Sequence, residues 1–524
     1  MSASAAALGL VNRLLTLGAT DIVVAPGSRS GPLARAAAAA DAQGLLRLHV
    51  RVDEREAAFL ALGIAKVTGR VTPVVTTSGT AVANLHPAML EALHSNAPLL
   101  AVTADRPGRL RGTGANQTTV QPGIFPGVPF LDAVEGIGGL TVNGPAHLNL
   151  ELDEPLTEAV DWGFEPVGAW DPIFRLDDVL NVEPGPRTVV IAGDRSSRRA
   201  RQVAEAGNWP LIAEPSSGSR TGPALTSGRL LLGRPELVDR VERVMSFGHS
   251  TLGRATTALL SRDIEIVHVG DQSTFPVPAG PRVSFVDEVE VESTDDSGWL
   301  AEWQAADAAV STAVASVIES AGAEADPLRV AASVWAAVPP EGLLVVGASN
   351  PIRDLDLVAP AFPVGERRKV VANRGLAGID GTLSTAVGAA LGRSSSAAFA
   401  YVGDLTFLHG SNGLLIGPGE PRPDLTIVVA NDDGGSIFAA LEQGAPEYAD
   451  GFERVFATPT GANIGALCQA FGVPHERVTA SDLPDVLAKT STDLRVVEVP
   501  VPRDARRELS AAIAAVCALR PMED

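Results

Sequence analysis

The sequence predicts an α/β protein of three doubly wound, mostly parallel-sheet domains in series. Three observations lead there: short apolar runs bounded by turn residues recur along the whole chain, helical stretches separate them, and 524 residues exceed what one hydrophobic core holds. Unbroken apolar runs of this length read as strands covered on both faces, as parallel strands are.

The amino-terminal SASAAALGLVNRLLTLG has no basic stretch before its apolar part and carries Arg13 within it. It reads as an amphipathic helix and not as a signal peptide. DIVVAP (21–26), RLHVRV (47–52), PVVTTS (73–78) and PLLAVTA (98–104) then alternate with helical stretches, and HLNLEL (147–152) adds a late strand. These make a first domain over residues 1–170. A Pro- and Gly-bearing stretch without helical period, about Gly163 to Arg187, reads as a linker.

The second domain, 185–325, repeats the alternation with TVVIAGD, PLIAEP, RVMSFGHS, IEIVHVGD and VSFVDEV. No GxGxxG follows any of these strands, so no nucleotide site is expected there. An Ala-rich helix, Ser297 to Ala321, leads into the third domain, 326–524, with LLVVGAS, KVVANRG, AAFAYVGD, LTIVVAND and RVVEVPV.

Charge narrows the partners. With 41 Lys and Arg against 62 Asp and Glu the net charge is −21, and the pI is near 4.8. No basic run offsets that surplus, which argues against nucleic acid and anionic membranes but leaves local arginines free to bind small polyanions. Only Cys468 and Cys517 are present, far apart, which fits a reducing cytoplasm and helix packing better than a disulfide frame. No run of 18 apolar residues occurs, so a soluble protein without a membrane span is expected.

The chemistry concentrates near the end of the chain. Gly403-Asp404-Leu405 follows AAFAYV, and Asn431-Asp432-Asp433-Gly434-Gly435 follows LTIVVA. At the carboxyl ends of neighbouring parallel strands such oxygen ligands converge on the crevice where open α/β sheets bind ligands, and a hard cation and a phosphate can meet there. Positions 404 to 432 leave room for one crossover helix, Phe407 to Ile416, and a return strand. The plainer alternative is two strand-end turns whose Asp residues cap helices. In the first domain, Asp53-Glu54-Arg55-Glu56 joins a strand to the helical AAFLALGIAKV; by itself this run reads first as a self-paired surface patch.

The paired clusters resemble the metal-diphosphate signature of thiamine diphosphate enzymes. A narrower resemblance rests on APGSRSGPL (25–33), VDER (52–55), TSGTAVANLHPA (77–88), TADRP (103–107), GANQ (114–117), SNPIRD (349–354), ANRGLAGIDGTLSTA (372–386), GDL (403–405) and NDDGGSIF (431–438). In that order these strings are similar to the menaquinone-biosynthetic 2-succinyl-5-enolpyruvyl-6-hydroxy-3-cyclohexene-1-carboxylate synthases, the MenD family. The likeness is dense over 25–121 and 343–438, thin in the middle domain and weak after Glu442.

The resemblance implies thiamine diphosphate with Mg2+ or Mn2+, and a transferase that decarboxylates 2-oxoglutarate and adds the succinyl unit to isochorismate. It implies that Glu54 sits beside the pyrimidine ring as the catalytic carboxyl. Thr77, Ser78 and Gly79 would line the pyrimidine pocket, and Ile379 would wedge between the cofactor rings. Gly403, Asp404, Leu405, Ser436, Ile437 and Phe438 would hold the diphosphate, with Asp404, Asp432 and the Gly434 carbonyl on the metal. Ser28, Arg29, Arg106, Gln117, Arg353 and Arg374 would contact substrate carboxylates or hydroxyls, the arginine fork being suited to a carboxylate.

Since Glu54 and the metal cluster lie in different domains, and this enzyme class joins them across subunits, a homodimer is the smallest active species implied, with a tetramer left open. Ser28 has an alternative as a cap for a helix from Gly31, Ile379 as core, and His86 reads as helix packing. Leu405 departs from the usual Gly-Asp-Gly, and Asp432 stands where the broader class has Asn. GPGEPRPD (417–424) is a longer loop than the motif requires, with no function legible in it. An acetolactate synthase relative and a noncatalytic scaffold of the same fold are the competing readings.

Overall fold

Each apolar run named above becomes a parallel strand in the computed structural model, which describes residues 2–134, 136, 144–165, 178–270, 282–489 and 492–518. The first sheet contains β1 (Asp21–Val24), β2 (Arg47–Val50), β3 (Thr72–Thr76), β4 (Leu99–Asp105), β5 (Phe130–Leu131) and β6 (Ala146–Glu151), in the order β2-β1-β3-β4-β6-β5. β7 (Val179–Val182) lies inside the stretch expected to be linker; residues 166–177 of that stretch fall outside the described residues.

The central sheet contains β8 (Thr188–Ala192), β9 (Leu211–Ala213), β10 (Arg243–Phe247), β11 (Glu265–Val269) and β12 (Val283–Val286), ordered β12-β11-β10-β8-β9. β13 (Glu288–Val291) pairs with β7 in a separate two-stranded parallel sheet. The third sheet contains β14 (Leu343–Val346), β15 (Lys369–Ala372), β16 (Ala398–Gly403), β17 (Leu425–Asn431), β18 (His475–Arg477) and β19 (Arg495–Pro500), ordered β15-β14-β16-β17-β19-β18.

The three sheets share one winding rule. From its first strand the chain turns one way, then returns past that strand and continues the other way. The reversals fall between β1 and β3, β8 and β10, and β14 and β16, and each opens a crevice beyond the carboxyl ends of those strands.

The first and third units share a single hydrophobic core, with Phe59, Leu60, Leu62 and Ile64 packed among Leu383, Ala386, Val387 and Ala389. The contact is between the helices Glu54–Thr68 and Thr382–Gly392. They approach so closely that a Cβ on Gly63 would lie 2.2 Å from the Thr385 carbonyl oxygen, and one on Gly388 2.1 Å from that of Leu60. Only glycine fits at this crossing.

The central unit has its own core around Trp299 and Trp303, on the Ala-rich helix Trp299–Ser320. Leu509 and Ile513 of the final helix, Arg506–Ala518, return from the third unit to join it. Buried Arg220 ties the same unit to the helix Asn350–Val358, donating to the Ala359 carbonyl at 2.7 Å and to Asp356 Oδ1 at 3.2 Å. Among the described residues no helix is long and apolar enough to cross a membrane. Cys468 is buried in the shared core of the first and third units; the surroundings of the Cys517 side chain lie outside what the structure describes.

Candidate active site

A cavity of about 360 Å³ opens at the carboxyl ends of β14, β16 and β17. Because Gly403 on β16 is in register with Ala430 on β17, Asp404 and Asp432 leave their strands side by side. Asp404 starts a short helix, Asp404–His409, followed by a 3-10 turn, Ser411–Leu414, in place of the single crossover helix expected over 407–416. Gly410 breaks it, since a glycine in mid-helix adds backbone entropy that folding must overcome.

The Asp404 carboxyl is buried and that of Asp432 half-buried. Burial, and then the neighbouring Asp432 carboxylate, push Asp404 up to about 7, and burial raises Asp432 above the ordinary carboxylate range. Two acidic groups so placed repel when ionised, and a divalent cation between them would reverse that cost. Among the described residues no three His, Cys, Asp or Glu side chains are placed so that they alone could hold a metal ion. A hard cation held here would complete its oxygen shell from carbonyls and from its ligand.

The turn after β17 is shaped for this. The Gly434 N–H donates to Asp404 Oδ2 at 2.9 Å. Gly434 has φ +149°, and a Cβ there would lie 2.4 Å from the Ala457 carbonyl oxygen. Ser436–Ala440, expected as a helix start, forms a 3-10 turn whose Ser436 Oγ accepts from Asn350 Nδ2 at 2.7 Å. Gly403, Leu405, Ser436, Ile437 and Phe438 all line the cavity.

Two arginines face the same space. Arg353 comes from the helix Asn350–Val358 and Arg374 from the loop after β15. Burial, and then the charge of Arg374, depress the Arg353 pKa, so the pair favours an anion between them. Arg374 is 2% exposed, its Nε donates to Thr251 Oγ1 at 2.8 Å, and its Nη1 has no partner among the described residues. A buried guanidinium nitrogen left unpaired is what a carboxylate ligand would satisfy. Ile379 is half-buried, lines the cavity and belongs to none of the buried apolar clusters.

The loop carrying Arg374 and Ile379 is anchored by residues that sequence reasoning missed. Glu91 accepts from the Gly375 N–H at 2.9 Å and the Leu376 N–H at 2.8 Å. Lys66 Nζ pairs with Glu91 at 2.8 Å and donates to the Ala372 carbonyl at 2.8 Å. Breaking a buried pair of this kind costs about 3–5 kcal/mol. Lone charges inside the apolar runs AAFLALGIAKV and HPAMLEALH were the available signal.

The remaining expected residues lie on the carboxyl edge of the first sheet, and within the single chain none of them lines this cavity. Glu54 is the first residue of its helix, half-buried, accepting from Asn84 Nδ2 at 3.1 Å. Asp53 caps that helix through the Arg55 and Glu56 N–H groups, while Arg55 pairs with Glu56 at 3.1 Å. Thr77 and Ser78 are buried next to Gly79; Ser78 Oγ donates to the Gln117 carbonyl at 2.8 Å, and Gln117 Nε2 returns a bond to the Ser78 carbonyl at 3.0 Å.

Arg29 donates to the Leu152 carbonyl at 2.9 Å and Arg106 to that of Asn116 at 2.8 Å. Ser28 is exposed, and the helix from Gly31 is preceded by Ser30, so the Ser28 side chain does not cap it. His86 begins a helix and meets Phe125 edge-on.

Comparison with known proteins adds two family matches. Residues 5–124 match the thiamine pyrophosphate enzyme N-terminal TPP binding domain, and residues 356–499 match the C-terminal TPP binding domain. Curated relatives named 2-succinyl-5-enolpyruvyl-6-hydroxy-3-cyclohexene-1-carboxylate synthase align over nearly the full length. One from Nocardioides sp. is 52% identical, covering 99% of this chain and 98% of its own. Those from Kineococcus radiotolerans and Rhodococcus erythropolis are 43% and 41% identical, each over 98% of this chain and 98% or 99% of theirs.

Proposed function

The chain belongs to the family of 2-succinyl-5-enolpyruvyl-6-hydroxy-3-cyclohexene-1-carboxylate synthases, which are thiamine pyrophosphate enzymes, and from that premise we propose how its residues divide the work. The reaction is decarboxylation of 2-oxoglutarate and conjugate addition of the succinyl unit to isochorismate, a step of menaquinone biosynthesis. One observation carries the assignment: a single cavity joins two adjacent carboxylates, suited to a metal-bound diphosphate, to two mutually repelling arginines, suited to dianionic substrates.

The coenzyme, when bound, supplies the electron sink for loss of carbon dioxide. Asp404, Asp432 and the Gly434 carbonyl hold Mg2+ or Mn2+ against its diphosphate, and Gly403, Leu405, Ser436, Ile437 and Phe438 shape that end of the site. Ile379 presents an apolar side chain from the loop that Glu91 anchors. Arg353 and Arg374 hold substrate carboxylates, so their largest effect is on affinity and orientation.

Glu54 shares a proton with the pyrimidine ring, its orientation set by Asn84, and Thr77, Ser78 and Gly79 border that ring. Ser28, Arg29, Arg106 and Gln117 lie on the same sheet edge and complete the substrate contacts. Because this edge is not part of the cavity of its own chain, a second copy supplies it: the homodimer is the smallest active unit, and tetramers add nothing the chemistry requires. The two widely spaced cysteines suit a cytoplasmic enzyme.

The test is carbon dioxide release from purified protein with thiamine diphosphate and Mg2+. 2-Oxoglutarate should turn over far faster than pyruvate, and added isochorismate should yield a product whose mass contains the succinyl unit. Equal use of pyruvate would move the chain to an acetolactate synthase-like activity.

A further inference from the structure

Arg374 belongs to the third unit, yet its side chain is held by the central one. Thr251, four residues past the end of β10, accepts from Arg374 Nε through its hydroxyl at 2.8 Å and from Nη2 through its carbonyl at 3.4 Å. Thr251 is fixed in turn by Glu214, immediately after β9, which accepts from the Thr251 N–H at 2.7 Å, the Thr251 hydroxyl at 3.2 Å and the Leu252 N–H at 2.9 Å.

The direction of each bond matters. A hydroxyl has one proton, and here it is given to Glu214, which leaves its lone pairs turned to the guanidinium. Arg374 can then neither swing away from the cavity nor rotate about its long stem without breaking two bonds. The backbone immediately after it, at Gly375 and Leu376, is fixed independently by Glu91. Holding the fork in advance removes the ordering cost that a flexible side chain meets on binding.

We propose that Thr251, oriented by Glu214, is a positioning residue for Arg374, so that the central unit helps set affinity for a dianionic substrate without touching it. This rests on the reading of Arg374 as a substrate-carboxylate contact. It gives the middle of the chain, which carries no cofactor motif, a part in the substrate site.

The test compares Thr251→Val, which keeps the shape and removes the hydroxyl, with Thr251→Ser, which restores it. Thr251→Val should raise the KM of one of the two substrates about tenfold, the scale of one lost charge-assisted bond, with kcat, the thiamine diphosphate Kd and the melting temperature close to wild type. Thr251→Ser should return the KM to within about twofold of wild type. In an Arg374→Gln background Thr251→Val should add nothing, because the group it orients is gone.

Unchanged KM values for both substrates, a fall in kcat alone, failure of Ser to rescue, or full additivity with Arg374→Gln would each overturn the inference. Should Thr251→Val fold poorly, Thr251→Ala takes its place under the same criteria. Absence of carbon dioxide release from 2-oxoglutarate by the wild-type protein would sink the functional reading instead, and is measured first.

Discussion

The first and third units are wound in the same order, 2-1-3-4-6-5, and place their chemistry on the same edge, yet the two edges are finished differently. On the first, Arg29, Arg106, Ser78 and Gln117 spend hydrogen bonds on their own domain, and Glu54 stands half-open at a helix start. On the third, Arg353, Arg374, Asp404 and Asp432 are buried or nearly so round one cavity, with like charges adjacent. Winding alone therefore supplies a place and not a site. The third edge stores electrostatic cost that a metal, a diphosphate and a substrate would relieve, whereas the first, on the proposed reading, would offer one acid group to a ring brought to it.

Substitutions at the two edges should separate these roles. Glu54→Gln should lower carbon dioxide release by about 10³-fold while leaving calorimetric uptake of thiamine diphosphate with Mg2+ within a few-fold of wild type; near-normal turnover would remove Glu54 from the chemistry. At the other edge, Asp404→Asn should weaken that uptake on the order of 100-fold. Asp432→Asn should weaken it less and change the ratio of Mg2+ to Mn2+ affinity. If neither metal responds, Asp432 is not a ligand.

The smallest effect concerns the seam between the two units. Burial pushes Glu56 up from 4.5 to about 7, against the bonds it accepts from Ser384 and Arg55. Between those values the unfolded chain has already lost the proton that the native state keeps, so stability falls as pH rises through the window. Glu56→Gln removes that titration, and urea unfolding of the variant should vary less between pH 4.5 and 7 than wild type, by up to on the order of 3 kcal/mol. Glu214, also buried and raised to about 7, leaves a residual slope. An unaltered slope would show that Glu56 ionises freely in the folded protein.

The strands were legible because apolar runs of this length have little choice of structure, and the paired aspartates because each sits directly after one. Arg374 and Ile379 were legible through the motif around them. What could not be read were contacts between units. Nothing in RVMSFGHSTL marks Thr251 as a partner of an arginine 123 positions away, and nothing in the helices carrying Lys66 and Glu91 marks the two as partners. The break at Gly410 escaped for a different reason: a glycine interrupts regular structure through backbone freedom, which leaves no apolar period to detect. The 417–424 loop also gained a structural role only in three dimensions, where Glu420 accepts from the Val50 N–H at 2.7 Å and ties the third unit to the strand leading to Glu54.

The glycine crossing at Gly63 and Gly388 has a mechanical consequence. At that crossing no side chain separates the two backbones, and on either side of it the side chains of both helices interlock in one core, so the outer units have little slack along that line. The central unit meets Arg374 through a hydroxyl and the helix bearing Arg353 through an arginine fork, joints that can open and close one bond at a time. Movement of the cavity wall is thus easier on the side facing the middle of the chain than on the side built by β16 and β17.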